Sequence, residues 1–204
     1  MLGRRAVIFG LPLALAGCGA ESVRAPQDSI ARVAYRHPGP PVLTLYTCLN
    51  NDTLNGAHTG LLINASQRVI FDPAGSFRHP DVVENDDLLY GATPTVEAAY
   101  TGFQTMEGYH LVKQHIPVTA EVAEATFAAA RSAGPVGKSY CTRATAKLLQ
   151  SVPGLEGLRI SWFPDNLMRQ MAAIPGITSE FLYPNQDPYR PAAEAAYRAM
   201  LARA

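Results

Sequence analysis

The sequence predicts an α+β fold, in which helices pack against a small antiparallel sheet within a single domain. Strand-like runs and helix-like segments are grouped rather than alternating, which argues against a doubly wound parallel sheet. The pattern gives roughly three to five strands and about five helices. With 204 residues, of which 48% are hydrophobic, the chain is long enough to bury one core.

Four runs are expected to form the sheet. Residues 41–49 are rich in β-branched and apolar side chains, and residues 109–118 alternate like a half-buried strand. Residues 57–63 and 67–72 are short strand-like runs separated by only three residues, which predicts a β-hairpin. Residues 73–87 are rich in Pro, Gly, Asn and Asp and are expected to form a loop.

Capping residues mark the starts of the predicted helices. Thr93, Thr119 and Ser139 each precede a helix-forming run, so each is expected to cap a helix. The helix after Ser139 carries Cys141 close to its start. A final alanine-rich helix is expected over residues 189–204.

The first residues predict a targeting segment. Residues 1–17 combine a short basic stretch with an apolar run that is too short to span a bilayer. The run ends in Leu15-Ala16-Gly17-Cys18, which resembles the bacterial lipobox. The resemblance implies cleavage before Cys18, a diacylglycerol on its thiol and an acyl group on its new amino terminus. A plain secretory signal is the alternative.

The remaining chain is expected to form a tether over residues 18–39, a domain over 40–188 and the C-terminal helix. By the same resemblance, Gly19 after the cysteine favours the outer membrane, with the protein facing the periplasm. The formal net charge is zero and no basic stripe is present, so nucleic acid is not an expected partner.

The hairpin predicts a contact between His58 and Asp72. If Asn64, Ala65 and Ser66 form the loop, Ile63 pairs with Gln67, and five steps further His58 pairs with Asp72. Opposite residues of an antiparallel pair share a face, with Cβ atoms about 5 Å apart. A register shift of one residue would put the two side chains on opposite faces.

Cys141 is expected to join this pair. In the first turn of a helix, unpaired N–H groups and the helix dipole stabilise a thiolate. Ala144, Thr145 and Leu148 follow at helical spacing, so the thiol is expected on the buried face and aimed at His58. A thiol, an imidazole and a carboxylate are the components of a cysteine hydrolase.

These residues also allow two alternative interpretations. In an oxidising envelope, Cys48 and Cys141 could form a disulfide in a non-catalytic binding or structural lipoprotein. A metal site could be built from Asp72 with His58, His79, His110 or His115, although no compact ligand motif is present. No metal or cofactor is therefore expected.

The segments HTGLLI, RVIFDPAG and SYCTRAT resemble the NlpC-type papain-like peptidases. Because the cysteine helix follows the two strands, the likeness is to the circularly permuted YiiX/YaeF-like branch, over roughly residues 42–174. The resemblance implies a permuted papain-like fold with Cys141 as nucleophile, His58 as base and Asp72 as orienting residue. His79 is the alternative for the third role.

The same resemblance implies a thiol hydrolase or acyltransferase that acts on amide or ester bonds. The implied substrates are peptidoglycan peptides or acyl lipids, and the implied membrane contact is the lipid on Cys18. The loop over residues 73–94 and the side chains of Trp162 and Phe163 are candidates for substrate contact, with packing or solvent exposure as the alternative.

Overall fold

The computed structural model describes residues 20–184 together with Ala195, Tyr197 and Ala199. Within this part of the chain, one seven-stranded antiparallel sheet is surrounded by five helices, so the predicted α+β class is confirmed. The predicted signal peptide, Cys18 and most of the predicted C-terminal helix lie outside the described residues. No helix in the described part has the length and apolar character that crossing a bilayer requires.

The elements follow one another along the chain from a short helix to an edge strand. The strands are β1 (Val42–Asn50), β2 (Gly56–Asn64), β3 (Arg68–Phe71), β4 (Val83–Asn85), β5 (Leu88–Tyr90), β6 (Tyr109–Pro117) and β7 (Thr178–Leu182). The helices are α1 (Gln27–Val33), α2 (Pro94–Gln104), α3 (Ala120–Ser132), α4 (Cys141–Leu149) and α5 (Pro164–Ala172). The strand order is β4-β5-β3-β2-β1-β6-β7, which puts β1 and β2 near the centre.

The two faces of the sheet carry different helices. Leu61 and Ile63 of β2 belong to the larger core, which they share with buried side chains of α3, α4 and α5. Leu62 of β2 belongs to a second core, which includes Val96 and Tyr100 of α2. Because side chains alternate along a strand, the even-numbered residues of this part of β2 face α2 and the odd-numbered residues face α4.

Two of the three predicted helix caps are confirmed. The hydroxyl groups of Thr93 and Thr119 accept hydrogen bonds from the amides of Val96 and Val122. The prediction for Ser139 is wrong. Its φ is 68°, a conformation uncommon for a residue other than glycine, and Tyr140 is the N-cap without a side-chain hydrogen bond.

The predicted loop over residues 73–87 contains part of a hairpin. Strands β4 and β5 pair around Asp86 and Asp87, which both have positive φ, as a tight type I′ hairpin turn requires. Aspartate tolerates this conformation better than most residues. The Asp-Asp pair is therefore the turn of a hairpin.

The described part of the predicted tether packs on the sheet. Helix α1 places Ile30 in the larger core. The carbonyl of Tyr35 accepts a hydrogen bond from the amide of Arg68 at 2.7 Å, and the carbonyl of Val23 accepts one from Asp86 at 2.8 Å. Apolar burial and backbone hydrogen bonds therefore hold residues 20–39 against the domain.

Candidate active site

His58 and Asp72 are in contact. Nε2 of His58 donates to Oδ1 of Asp72 at 2.7 Å. The register of the hairpin differs from the predicted one by two residues, since Leu61 pairs with Phe71 and Asn64 with Arg68. A shift of two residues preserves the face on which each side chain lies, so His58 meets Asp72 diagonally rather than directly across the hairpin.

Tyr100 is a third member of this group that the sequence did not indicate. Its hydroxyl donates to the same Oδ1 of Asp72 at 2.8 Å, and its side chain is fully buried. Tyr100 lies on α2, which covers the face of β2 that carries His58. Two donors therefore converge on one carboxylate oxygen.

Two glycines leave room for this arrangement. A Cβ on Gly60 would lie 2.4 Å from the hydroxyl oxygen of Tyr100, and a Cβ on Gly75 would overlap the carboxylate of Asp72. The amide of Gly75 also donates to the carbonyl of Asp72 at 2.9 Å, which closes the turn after β3. Glycine is thus favoured at positions 60 and 75 because a side chain there would collide with Tyr100 or Asp72, and not because the backbone needs the conformational freedom of glycine.

Cys141 is the first residue of α4 and is buried. Helix α4 packs on the face of β2 opposite to α2, but the His58 ring lies close enough to the thiol to lower the pKa of Cys141. The β1–β2 ladder is irregular where Cys48 pairs with His58 and Leu49 with Gly56, which leaves Ala57 as an extra residue. Such a bulge bends a strand locally and re-aims its side chains. His58 thus lies directly beside the bulge.

The contacts of the ring assign its two nitrogens to different partners. Nε2 is occupied by Asp72, so Nδ1 is the nitrogen left for Cys141. Burial acts to lower the pKa of His58, but hydrogen bonds to Asp72 and Cys141 and the charges of both raise it to about 10. At neutral pH the ring is therefore protonated in the folded protein.

The thiol of Cys141 is shifted in the complementary direction. Burial raises its pKa, but the hydrogen bond and charge of His58, with donors from Thr59 and Thr142, lower the pKa of Cys141 below its ordinary value of 9.0. No side chain caps α4, so the free N–H groups of its first turn add to this effect. The arrangement favours a thiolate beside an imidazolium.

Two buried threonines, Thr142 and Thr59, connect Cys141 to β2. The hydroxyl of Thr142 lies 3.9 Å from Sγ of Cys141 and 3.0 Å from the hydroxyl of Thr59, and both threonines are fully buried. This contact joins the first turn of α4 to β2 next to His58. The strand that carries the imidazole is thereby linked to the helix that carries the thiol.

A cavity of about 320 Å³ opens beside His58. Its lining includes Ala74, Gly75 and Ser76 from the predicted substrate loop, and Phe103 and Met106 from the end of α2 and the residues after it. Part of the segment predicted to contact substrate therefore lies at the cavity. Trp162 and Phe163, the other candidates, are exposed and do not line it.

Cys48 also lines this cavity but differs in its chemistry. Its S–H donates to the carbonyl of Gln104 at 3.2 Å, and burial raises its pKa to about 12. Cys48 and Cys141 are both free, so the alternative disulfide between them is not present in the structure. The pKa shifts of the two thiols are therefore opposite, downward for Cys141 and upward for Cys48.

His79, the alternative for the third catalytic role, has surroundings of its own. The ring of His79 stacks on Phe77, and its Nδ1 accepts a hydrogen bond from the amide of Asp81 at 3.2 Å. Asp72, and not His79, therefore holds the His58 ring. Among residues 20–184, no group of three or more His, Cys, Asp or Glu side chains is arranged to hold a metal ion.

No family model, curated protein or solved structure matches this chain.

Proposed function

We propose that this chain is a membrane-anchored thiol hydrolase or acyltransferase with a permuted papain-like arrangement, which acts on amide or ester bonds of cell-envelope substrates. The observation that carries the proposal is the contact series from Cys141 to His58 to Asp72. A thiolate paired with an imidazolium at a helix start is the arrangement that activates a cysteine nucleophile. The order of the elements, with the cysteine helix after the histidine strand, supports the permuted arrangement.

The first half of the reaction forms a thioester. The thiolate of Cys141 attacks the substrate carbonyl, a C–S bond forms, and the carbonyl π electrons move to the oxygen. The amide of Cys141, at the start of α4, is placed to donate to that oxygen. As the intermediate collapses, the C–N or C–O bond breaks and the imidazolium of His58 gives its proton to the leaving amine or alcohol.

The second half releases the acyl group. Water, or a second alcohol or amine, attacks the thioester while neutral His58 takes its proton, and the C–S bond breaks. Throughout, Asp72 fixes the ring orientation through Nε2 and stabilises its positive charge. The thiolate–imidazolium pair is restored at the end of the cycle.

The proposed location follows from the N-terminal residues. The signal peptide over residues 1–17 and lipid on Cys18 would place the protein in a bacterial envelope, in the outer membrane facing the periplasm. Peptidoglycan peptides and acyl lipids are the amide and ester substrates available to a protein held there. These parts of the proposal depend on the sequence pattern.

The test is turnover of purified muropeptides and of diacyl phospholipids, followed by mass spectrometry of the products. Cys141→Ala is expected to abolish turnover and His58→Ala to lower it by roughly 10²- to 10⁴-fold, with both variants folded. His79→Gln is the matched control, because His79 lies outside the contact series, and it is expected to keep full activity. Turnover retained by Cys141→Ala would refute the proposal.

A further inference from the structure

Next to the start of α4 lies an exposed aromatic surface, formed by Tyr140, Ile160, Trp162 and Phe163. Phe163 is 68% exposed, and the other three side chains are nearly half exposed. The rings of Tyr140 and Trp162 are in contact, with centroids 4.7 Å apart. A contiguous apolar patch of this kind marks an interaction site, and Trp and Tyr are favoured at membrane–water interfaces.

Two cationic side chains border the aromatic surface. The guanidinium of Arg143 lies 4.3 Å from the ring centre of Trp162. Lys147 is one turn further along α4, on the same side of the helix as Arg143, and is exposed. Arg143, Lys147, Tyr140 and Ile160 all line one cavity of about 440 Å³, and none of its lining residues is acidic. This combination of charge and apolar area matches an anionic phospholipid surface.

The chain enters the domain at the same place. Ala20 lines the cavity with Arg143 and Lys147. Cys18 precedes Ala20 by only two residues in the sequence. Acyl groups on Cys18 would therefore enter a bilayer beside the aromatic surface, an argument that depends on the lipidation included in the proposed function.

We propose that the aromatic surface docks on the anionic bilayer that holds the Cys18 anchor. The aromatic side chains insert at headgroup depth, while Arg143 and Lys147 lie along the lipid phosphates. Tyr140 directly precedes Cys141, so docking fixes the start of α4 at the membrane. The anchor supplies attachment and the aromatic surface supplies orientation.

Trp162 makes the docking measurable, because it is the only tryptophan in the chain. The experiment uses the full chain, purified from a host that processes lipoproteins and reconstituted into vesicles of phosphatidylglycerol and phosphatidylcholine, with or without bromine on the acyl chains. Brominated lipid is expected to quench Trp162 and the vesicles to shift its emission to shorter wavelength. Emission unaffected by bromine would overturn the docking.

Two variants test the role of charge. Lys147→Gln is expected to lower the ratio of docked to undocked protein by about fivefold, because each cation near an anionic surface contributes a factor of that size. Arg36→Gln also removes one positive charge, but Arg36 lies near the first turn of α3. The cavity that Lys147 lines is at the other end of α3, about 20 Å away. This variant is therefore expected to leave the quenching unchanged. Equal effects of the two variants would contradict a specific docking surface.

The same vesicles separate the docking from the proposed chemistry. The rate of Cys141 alkylation by iodoacetamide is measured alongside the quenching. Fast alkylation without quenching overturns the docking and leaves the thiol hydrolase standing. Quenching without a reactive Cys141 supports the docking and refutes the hydrolase.

Discussion

The hydroxyl of Tyr100 donates to Oδ1 of Asp72, the same oxygen that receives Nε2 of His58. A carboxylate held by two donors has little freedom to rotate away from the imidazole. Burial of Tyr100 removes competing water, which makes each of these hydrogen bonds stronger. Tyr100 is therefore a positioning residue that acts on the thiol through Asp72 and His58.

The Tyr100→Phe variant tests this role. Loss of a hydrogen bond to a charged group is expected to lower the free energy of unfolding by about 1.5–3 kcal/mol. Because Asp72 then holds His58 less firmly, the thiolate of Cys141 is also less stabilised. We expect the midpoint pH for alkylation of Cys141 to rise towards that of an ordinary thiol, as measured by peptide mass spectrometry across pH.

Tyr46→Phe is the matched control for that prediction. Tyr46 is also buried and also donates to a carboxylate, Oε1 of Glu97 at 2.7 Å, but it makes no hydrogen bond to Asp72. It is expected to lower stability by a similar amount and to leave the alkylation midpoint of Cys141 unchanged. If the alkylation midpoint of Cys141 were the same in Tyr100→Phe and Tyr46→Phe, the role of Tyr100 would be purely structural.

Gly60→Ala tests the close approach between β2 and Tyr100. The new Cβ would lie 2.4 Å from the Tyr100 hydroxyl oxygen, so the ring must shift, and we expect its hydrogen bond to Asp72 to weaken. We expect a loss of about 1–3 kcal/mol in the free energy of unfolding, measured by urea denaturation. Gly102→Ala on α2 is the control, because its Cβ meets nothing within 4 Å, and it is expected to gain roughly 0.5–1 kcal/mol.

A double variant identifies the cause of the Gly60 effect. In Tyr100→Phe the hydroxyl that the new Cβ would meet is absent, so Gly60→Ala is expected to cost less there than in the wild type. The difference between the two costs is expected to be about 1 kcal/mol or more. Strictly additive costs would show that the crowding arises from other atoms.

The charge state of the pair predicts a pH effect on stability. In the wild type, an ion pair of Cys141 and His58 carries one proton, which is also the number that these two side chains carry in the unfolded chain between their ordinary pKa values of 6.5 and 9.0. In Cys141→Ala, the folded chain keeps a proton on His58 that the unfolded chain loses above pH 6.5, because Asp72 still raises the pKa of His58. The stability that this proton provides is present at low pH and is lost as the pH rises.

We therefore expect the free energy of unfolding of Cys141→Ala to fall with rising pH relative to the wild type. The limiting slope is about 1.4 kcal/mol per pH unit for one extra proton in the folded state. Urea denaturation of both proteins at several pH values measures the difference, in which the titration of all other groups cancels. Parallel curves for the two proteins would mean that His58 is neutral in the folded state.

The contact between His58 and Asp72 could be predicted from the sequence because side chains alternate along a strand. A prediction of this kind stays correct when the register is wrong by an even number of residues. The predicted hairpin pairing was wrong by two residues, but an even shift leaves His58 and Asp72 on one face. The turn at Asp86 and Asp87 was missed because strands of three residues carry too little periodicity to stand out. Tyr100 could not be found, since its contact with Asp72 depends on how α2 lies on the sheet.

The start of α4 shows a second limit of sequence reasoning. Serine is a favoured N-cap, so the sequence placed the helix start at Ser139. The loop before α4 is held by a hydrogen bond from the amide of Val136 to the carboxylate of Asp87, on the distant β4–β5 turn. A long-range contact of this kind competes with local capping preference, and it is not visible in the local sequence.

The most direct test of the account is the pH dependence of Cys141 alkylation by iodoacetamide in the wild type and in His58→Ala. The wild-type midpoint is predicted to lie below 9.0, and the His58→Ala midpoint at or above 9.0, because burial then acts on the thiol without the imidazolium. Cys48, with a pKa of about 12, is predicted to stay unmodified over this range and serves as an internal control. Equal midpoints in the two proteins, or a Cys141 that reacts only after unfolding, would contradict the ion pair.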